Sequence, residues 1–318
     1  MLTLAALAVM ATLSIEGDAN ASNRPLQVAP QVAQTGEPIR LEDIEVTGRP
    51  LDTMILNFVD EVAAPARNRG LARWDNRVCV GVANLRTDVG QYIVDRVQTV
   101  AQDLGLESGR PGCQPNVVIV AAADADAATQ ALTERRSRFL MGGSGMDRGF
   151  TAYDAFKASD APVRWWTVSM PVDTDTGLRA VRLPGDCRNE CDHSHTYAPI
   201  VTTRRASNLT TQVVDEIIQT VVVLDVDQVA NVSAQQLADY VSMVVFAQID
   251  PEADTSAYAS VLNVFDAPET AEGLTQWDLA YLEGLYDARR TLRSTRASNR
   301  EIASSIHRAH SRLNSAEE

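Results

Sequence analysis

Asn116-Val117-Val118-Ile119-Val120-Ala121-Ala122 decides the fold class. After Asn116 nothing polar interrupts the run, and β-branched residues dominate it, the pattern of a strand buried on both faces beneath helices. Upstream, Val89 to Leu104 (VGQYIVDRVQTVAQDL) places Ile93, Val97, Val100 and Leu104 on one helical face and closes on Gly105, a helix stop. Before that helix, Arg77 to Leu85 (RVCVGVANL) reads as a strand, and beyond the apolar run Asp124 is placed to cap another helix. Strand, helix, strand, helix in this order favours the α/β class (α+β in its looser form), with a mixed sheet covered by helices.

Further out, Leu51 to Ala63 is amphipathic, with Met54, Ile55, Phe58 and Val62 at helical spacing. Val163 to Met170 (VRWWTVSM) and Leu178 to Leu183 (LRAVRL) read as a hairpin whose turn is supplied by Asp173, Asp175 and Gly177. Ile217 to Val226 (IIQTVVVLDV) reads as another buried strand. From about residue 233 the chain is helical, over Gln235–Ile249, Gln276–Arg290 and Asn299–Leu313.

The amino terminus points to export. Leu2 to Ile15 is apolar or small throughout, the length of a signal-peptide core and short of the roughly 20 residues that span a bilayer. Ala19-Asn20-Ala21 offers a small-x-small cleavage pattern, so 1–21 reads as a signal peptide and Ser22 as the mature start. No Lys or Arg precedes the apolar run, which leaves open an upstream start or a mobile apolar tail. Residues 22–38 read as a disordered linker, a short strand is expected at Ile44-Glu45-Val46, and 39–318 as one domain. The expected compartment is the periplasm or the exterior. A net charge of −14, without clustered Lys or Arg, argues against nucleic acid as a partner, and no later stretch is long and apolar enough for a membrane span after processing.

Four cysteines in an exported chain suggest disulfides before thiol chemistry. Cys79 lies in one expected strand and Cys113 just before the next, a pair that adjacent strands would bring within bonding distance. The other two stand in a polar loop with two histidines, as Cys187, Cys191, His193 and His195. A local Cys187–Cys191 disulfide is the preferred reading there. A zinc site is the alternative, since this ligand set suits tetrahedral zinc although the spacing matches no common finger. Gly142, Gly143, Gly145 and Gly149 invite a phosphate-loop reading but lack the Gly-Lys-Ser/Thr ending, so a surface loop is expected. Of Trp165 and Trp166, neighbours that face opposite sides of a strand, at least one should be core. His307 and His310 share a face of the last helix and read as surface residues. No Gly-x-Ser-x-Gly and no His-Glu-x-x-His occurs, and no cofactor is implied.

The carboxy-terminal third carries a resemblance. Ala238–Ile249 (ADYVSMVVFAQI), Ser260–Phe265 (SVLNVF) and Leu274–Arg290 (LTQWDLAYLEGLYDARR) resemble the end of a secreted bacterial family of unknown function with a metallopeptidase-like, zincin-like fold. Leu274, Thr275, Asp278, Leu282, Leu285 and Tyr286 match its Leu-Thr-x-x-Asp-x-x-x-Leu-x-x-Leu-Tyr helix. Asp239-Tyr240-Val241-Ser242-Met243 falls where that family has His-Glu-x-x-His or a degenerate form. With both histidines and the glutamate missing, Asp239, Tyr240 and Met243 cannot supply the three ligands and activated water that zinc hydrolysis needs. The resemblance implies a zincin-like scaffold without catalysis. The chain is also similar to uncharacterised exported bacterial proteins with an RWWxVSMPVD-like hairpin. The expected function is a non-catalytic, zincin-like binding or structural domain of the envelope, whose partner would be an envelope protein or peptide. The alternatives are a metal-dependent hydrolase built on the Cys/His loop and a subunit of a larger envelope assembly.

Overall fold

A computed structural model describes residues 50–141, 145–183, 186, 201–202 and 207–317. Outside these fall the expected signal peptide, linker and Ile44–Val46 strand, together with Gly142, Gly143, Cys187, Cys191, His193 and His195.

The run around Ile119 forms β4 (Val117–Ala122), at the heart of a four-stranded sheet of order β2-β4-β6-β5. β2 (Val80–Ala83) and β6 (Val213–Asp225) flank β4 in parallel, and β5 (Val163–Asp173) runs antiparallel along β6. The sheet is mixed and covered by helices, as the order of elements required. On β4 the two faces differ: Val117, Ile119 and Ala121 are fully buried, whereas Val118, Val120 and Ala122 are only half-buried. Burial on both faces holds instead for most of β6.

Helix α2 (Thr87–Asp103) crosses between β2 and β4 and turns Ile93, Val97, Val100 and Ala101 inward. Its end is the αL glycine stop foreseen at Gly105, with φ +78°; Gly105 N–H donates to the Gln102 carbonyl and Leu106 N–H to that of Ala101. Asp124 caps α3 (Ala125–Met141) through the Ala127 N–H.

The expected strand from Arg77 to Leu85 is split at Cys79. Arg77–Val78 is β1, paired in parallel with β3 (Glu107–Ser108), and the chain then changes partner to β4. The Asn116 carboxamide explains the change, since its Oδ1 accepts the Cys79 N–H and its Nδ2 donates to the Arg77 carbonyl. A disulfide joins Cys79 to Cys113 here. Gly109 leaves room for it, because a Cβ at that position would stand 2.4 Å from Cys113 Sγ.

The hairpin is also redrawn. β5 pairs over its whole length with β6, and the Leu178–Leu183 segment contributes only an isolated bridge, Val172 to Arg179. The turn residues act as read, Asp173 Oδ1 accepting the Asp175 and Thr176 N–H groups. β6 supplies eleven partners where Leu178–Leu183 could offer six residues, and the longer apolar ladder wins.

Two cores result. The large one packs α1 (Leu51–Val62), α2, α5 (Ala234–Phe246), α6 (Gln276–Asp287) and α7 (Thr295–Glu317) on one side of the sheet. The small one, with Leu140, Met146, Tyr153, Phe156 and Trp166, lies under α3 and α4 (Phe150–Ala158). Trp165 and Trp166 are both core, one in each, as strand alternation demands. Gly284 permits the closest approach of α6 to α7, since a Cβ would meet the Ile306 backbone at 2.4 Å.

Candidate functional site

Asp239, Tyr240 and Met243 sit on a deeply enclosed helix. Every residue of α5 from Gln236 to Phe246 is buried. Asp239 is 0 % exposed; one of its oxygens takes the Arg96 guanidinium, and Oδ2 accepts the Leu274 N–H at 2.9 Å. Tyr240 packs edge-on against Phe265 at 4.9 Å and faces Trp165 at 6.2 Å, with its phenol pushed up by burial. Met243 is wholly enclosed. No open coordination position exists at these three residues, and their chemistry is that of core.

The other residues behind the resemblance hold loops to helices. Thr275 and Asp278 form the capping box of α6. Asp278 also accepts the Ser260 hydroxyl at 2.6 Å and the Val261 N–H at 2.8 Å, while Asn263 donates to the carbonyls of Thr255 and Tyr258. Tyr286 donates its hydroxyl to the Phe246 carbonyl. Among the described residues no group of three or more His, Cys, Asp or Glu is placed to hold a metal. His307 is exposed, and His310, half-buried, meets the Trp277 ring edge-on at 6.2 Å.

The described part of the glycine loop, from Gly145 on, is partly buried where a surface loop was expected. Beyond Gly145, which takes φ +77°, Met146 is 2 % and Asp147 7 % exposed, and the Met146 carbonyl accepts the Ser169 N–H at 2.7 Å. Met146 thereby caps part of the free edge of β5, and Asp147 and Arg148 border a groove.

That groove, about 680 Å³, has the edge of β5 from Val163 to Thr167 as its floor. One wall is α4 with Ala152, Ala155 and Ala158; the other is formed by Ala64, Ala66, Gln248 and Ile249. Strand parity fixes which backbone groups face it. Thr220 N–H points away from β5 to the Asn116 carbonyl and Asp225 N–H points across to that of Pro162. The residues opposite Thr220, Val222 and Leu224, namely Thr167, Trp165 and Val163, therefore turn their N–H and C=O groups outward.

The rest of this edge is closed. Ser169 is taken by Met146, Pro171 has no N–H and its carbonyl accepts from Ala180, and Asp173 N–H donates to the Leu178 carbonyl. Val163 is 1 % exposed; Trp165, at 7 %, and half-buried Thr167 have no partner for their outward backbone groups among the described residues. Around them, Arg148 is paired with Asp250 at 2.9 Å and Arg164 with Asp126 at 2.6 Å. The remaining charges lining the groove are carboxylates, Asp147, Asp160 and Glu252. Asp147 Oδ1 accepts the Gly149 N–H at 2.8 Å, whereas Oδ2 is buried with no partner among the described residues, and burial pushes its carboxyl up.

Sequence reasoning picked out the two tryptophans and the glycine loop but missed the groove. The signal available was Pro171, an edge-strand residue in a run that otherwise reads as core. No known protein family, no curated protein and no solved structure matches this chain.

Proposed function

We propose that the protein is a non-catalytic binding domain of the cell envelope, periplasmic or secreted, that takes up an extended basic segment of a partner polypeptide as an added strand along β5. The observation that carries this reading is the selective closure of the edge: three successive outward positions are capped or proline, and the two at the groove floor have no backbone partner among the described residues. An exposed edge is an aggregation hazard that folds normally blunt; one left open inside a walled groove fits strand addition, in which main-chain bonds give affinity and side-chain recesses give specificity. The small side chains of α4 leave space for the partner's alternate residues. The uncompensated carboxylates favour Lys or Arg. The Cys79–Cys113 disulfide supports an oxidising compartment, and the sealed environment of Asp239 and Met243 supports the absence of zincin chemistry.

The test is a titration with extended peptides of alternating apolar and Lys residues, read by tryptophan fluorescence and by calorimetry at low and high salt. Binding should weaken with salt, as expected for rim charges. Thr167→Pro, which removes one edge N–H, should abolish it. Ala155→Leu, which narrows the groove without touching the strand, should weaken it and guards against a folding defect in the proline variant. Equal binding by both variants, or a preference for acidic peptides, overturns the reading. Elemental analysis addresses the hydrolase alternative, since a Cys/His zinc site would survive purification at close to one zinc per chain.

A further inference from the structure

Five arginines scattered in the sequence of this acidic chain meet around one cavity. The loop between α6 and α7 carries Arg289, Arg290 and Arg293 and is tied to the segment just before β6: Thr211 N–H donates to the Thr291 carbonyl at 2.9 Å and Arg293 N–H to that of Leu209 at 3.1 Å. The turn after α1 brings Arg69 and Arg73 beside them. These five arginines line a cavity of about 190 Å³, and among the lining residues described Asp215 is the one carboxylate. With a net charge of −14 over the chain, such a concentration is not a matter of composition.

The arginines divide into two sets. Arg69 Nε donates to Asp215 Oδ1 at 2.8 Å, Arg290 pairs with Asp75 at 2.7 Å and donates to the Asp215 carbonyl, and Arg73 donates to the carbonyls of Leu285 and Tyr286. Those bonds fix the three planes without using all their N–H groups, for a guanidinium carries five. Burial, and next the Arg290 charge, pull Arg73 down to about 10, so a bound anion would relieve a repulsion already present. Arg289 and Arg293 are exposed and loosely held, at 3.3 Å to Thr291 Oγ1 and 3.5 Å to the Ser207 carbonyl. Thr295 and Ser298, in the first turns of α7, add two hydroxyls to the lining.

We propose that this cavity binds a tetrahedral oxyanion with two negative charges, as inorganic phosphate or as the phosphoryl group of a monoester. The volume suits an ion or a small headgroup. Planar guanidinium forks match phosphate oxygens two at a time, and Asp215 does not oppose the anion strongly, since its charge is met by Arg69 and by the Gly70 N–H. The cavity shares no lining residue with the β5 groove, so it is a separate site.

The experiment uses the full chain at constant ionic strength, with chloride replaced by phosphate, phosphoserine or acetate, and reads melting temperature and calorimetric affinity. Phosphate should raise the melting temperature in a saturable way and acetate should not. The double variant R289Q/R293Q, altering exposed side chains only, should melt like the native protein in chloride and lose at least tenfold in phosphate affinity, while Arg77→Gln, an exposed arginine elsewhere, should lose nothing. Tighter binding of phosphoserine than of phosphate would make an organic monoester the occupant, and the reverse would make it the free ion. Equal shifts in acetate and phosphate, or unchanged affinity in R289Q/R293Q, overturn the proposal. Peptide binding in the groove should be the same in R289Q/R293Q as in the native protein, so the two sites fail or hold independently.

Discussion

Two aspartates show how α5 differs from the β5 groove. Asp239 is fully enclosed and both its oxygens are bonded, to Arg96 and to Leu274. Asp147 is almost as enclosed, yet only one of its oxygens has a partner among the described residues. A buried polar group left unbonded is costly, and folds satisfy nearly all of them. Full satisfaction at α5 therefore marks scaffold, although its sequence position suggested a lost active site. At the groove one carboxylate oxygen is left without a partner among the described residues, as are Trp277 Nε1 and Tyr281 Oη in the main core, so it is the neighbouring strand edge and not the oxygen alone that supports the proposed strand addition.

The largest effect on this comparison is expected from the covalent tie of the scaffold. Cys79 and Cys113 are 34 residues apart in sequence, and closing a loop of that length stabilises by about 3–4 kcal/mol in the chain-entropy picture. The variant C79S/C113S should lose that order of stability in urea melts. Its peptide affinity, measured well below the melting temperature, should be unchanged. A parallel loss of both would mean that the groove is not independent of the β1–β3 corner.

Asp239→Ala should cost nearly as much. It leaves the Arg96 guanidinium and the Leu274 N–H without their acceptor, and removing one partner of a buried pair costs about 3–5 kcal/mol. Arg96 is 31 % exposed, and solvent screening places the expected value near the bottom of that range, about 3 kcal/mol. Again peptide affinity should not move. Lost affinity with intact stability would return α5 to the list of functional sites.

The sheet was legible in the sequence because its signals are local. The apolar run at β4, the periodic face of α2 and the Gly105 stop each fix an element from within a few residues. The strand break at Cys79 was not legible, because it depends on the side chain of Asn116, 37 residues on. The partner of β5 was misassigned for a related reason: Asp173 and Gly177 do make a turn, and nothing local reveals that β6 offers a longer ladder. The groove is further still from the sequence. It consists of backbone groups made available by strand parity, and the residue types there, Trp165 and Thr167, look like ordinary core. The segment Asp239–Met243 was singled out by its place in a resemblance and not by its residue types, and what the structure adds there is packing: all three named residues are buried in the core.

The smallest and most discriminating effect concerns the ionisation of Asp147. Burial raises its carboxyl above the usual range, and the Gly149 N–H only partly counters this. A carboxyl whose folded value is raised makes the folded state hold its proton to higher pH than the unfolded chain does, so stability is greatest below the unfolded value, near 4, and is lost as pH rises through the folded one. Asp147→Asn keeps an oxygen for the Gly149 N–H and removes that loss. Asp215, Glu216 and Asp278 are also raised by burial, but they are present in both proteins and cancel in the difference. The stability of the variant relative to native should therefore increase between pH 4 and 7, as measured by urea midpoints at each pH. Over the same window a basic peptide should bind the native groove more tightly as pH rises, since it meets a newly formed carboxylate, and should bind the variant with little pH dependence. If the stability difference follows pH while peptide affinity does not, Asp147 is a buried acid facing no ligand, and the contrast between groove and α5 reduces to one missing hydrogen bond.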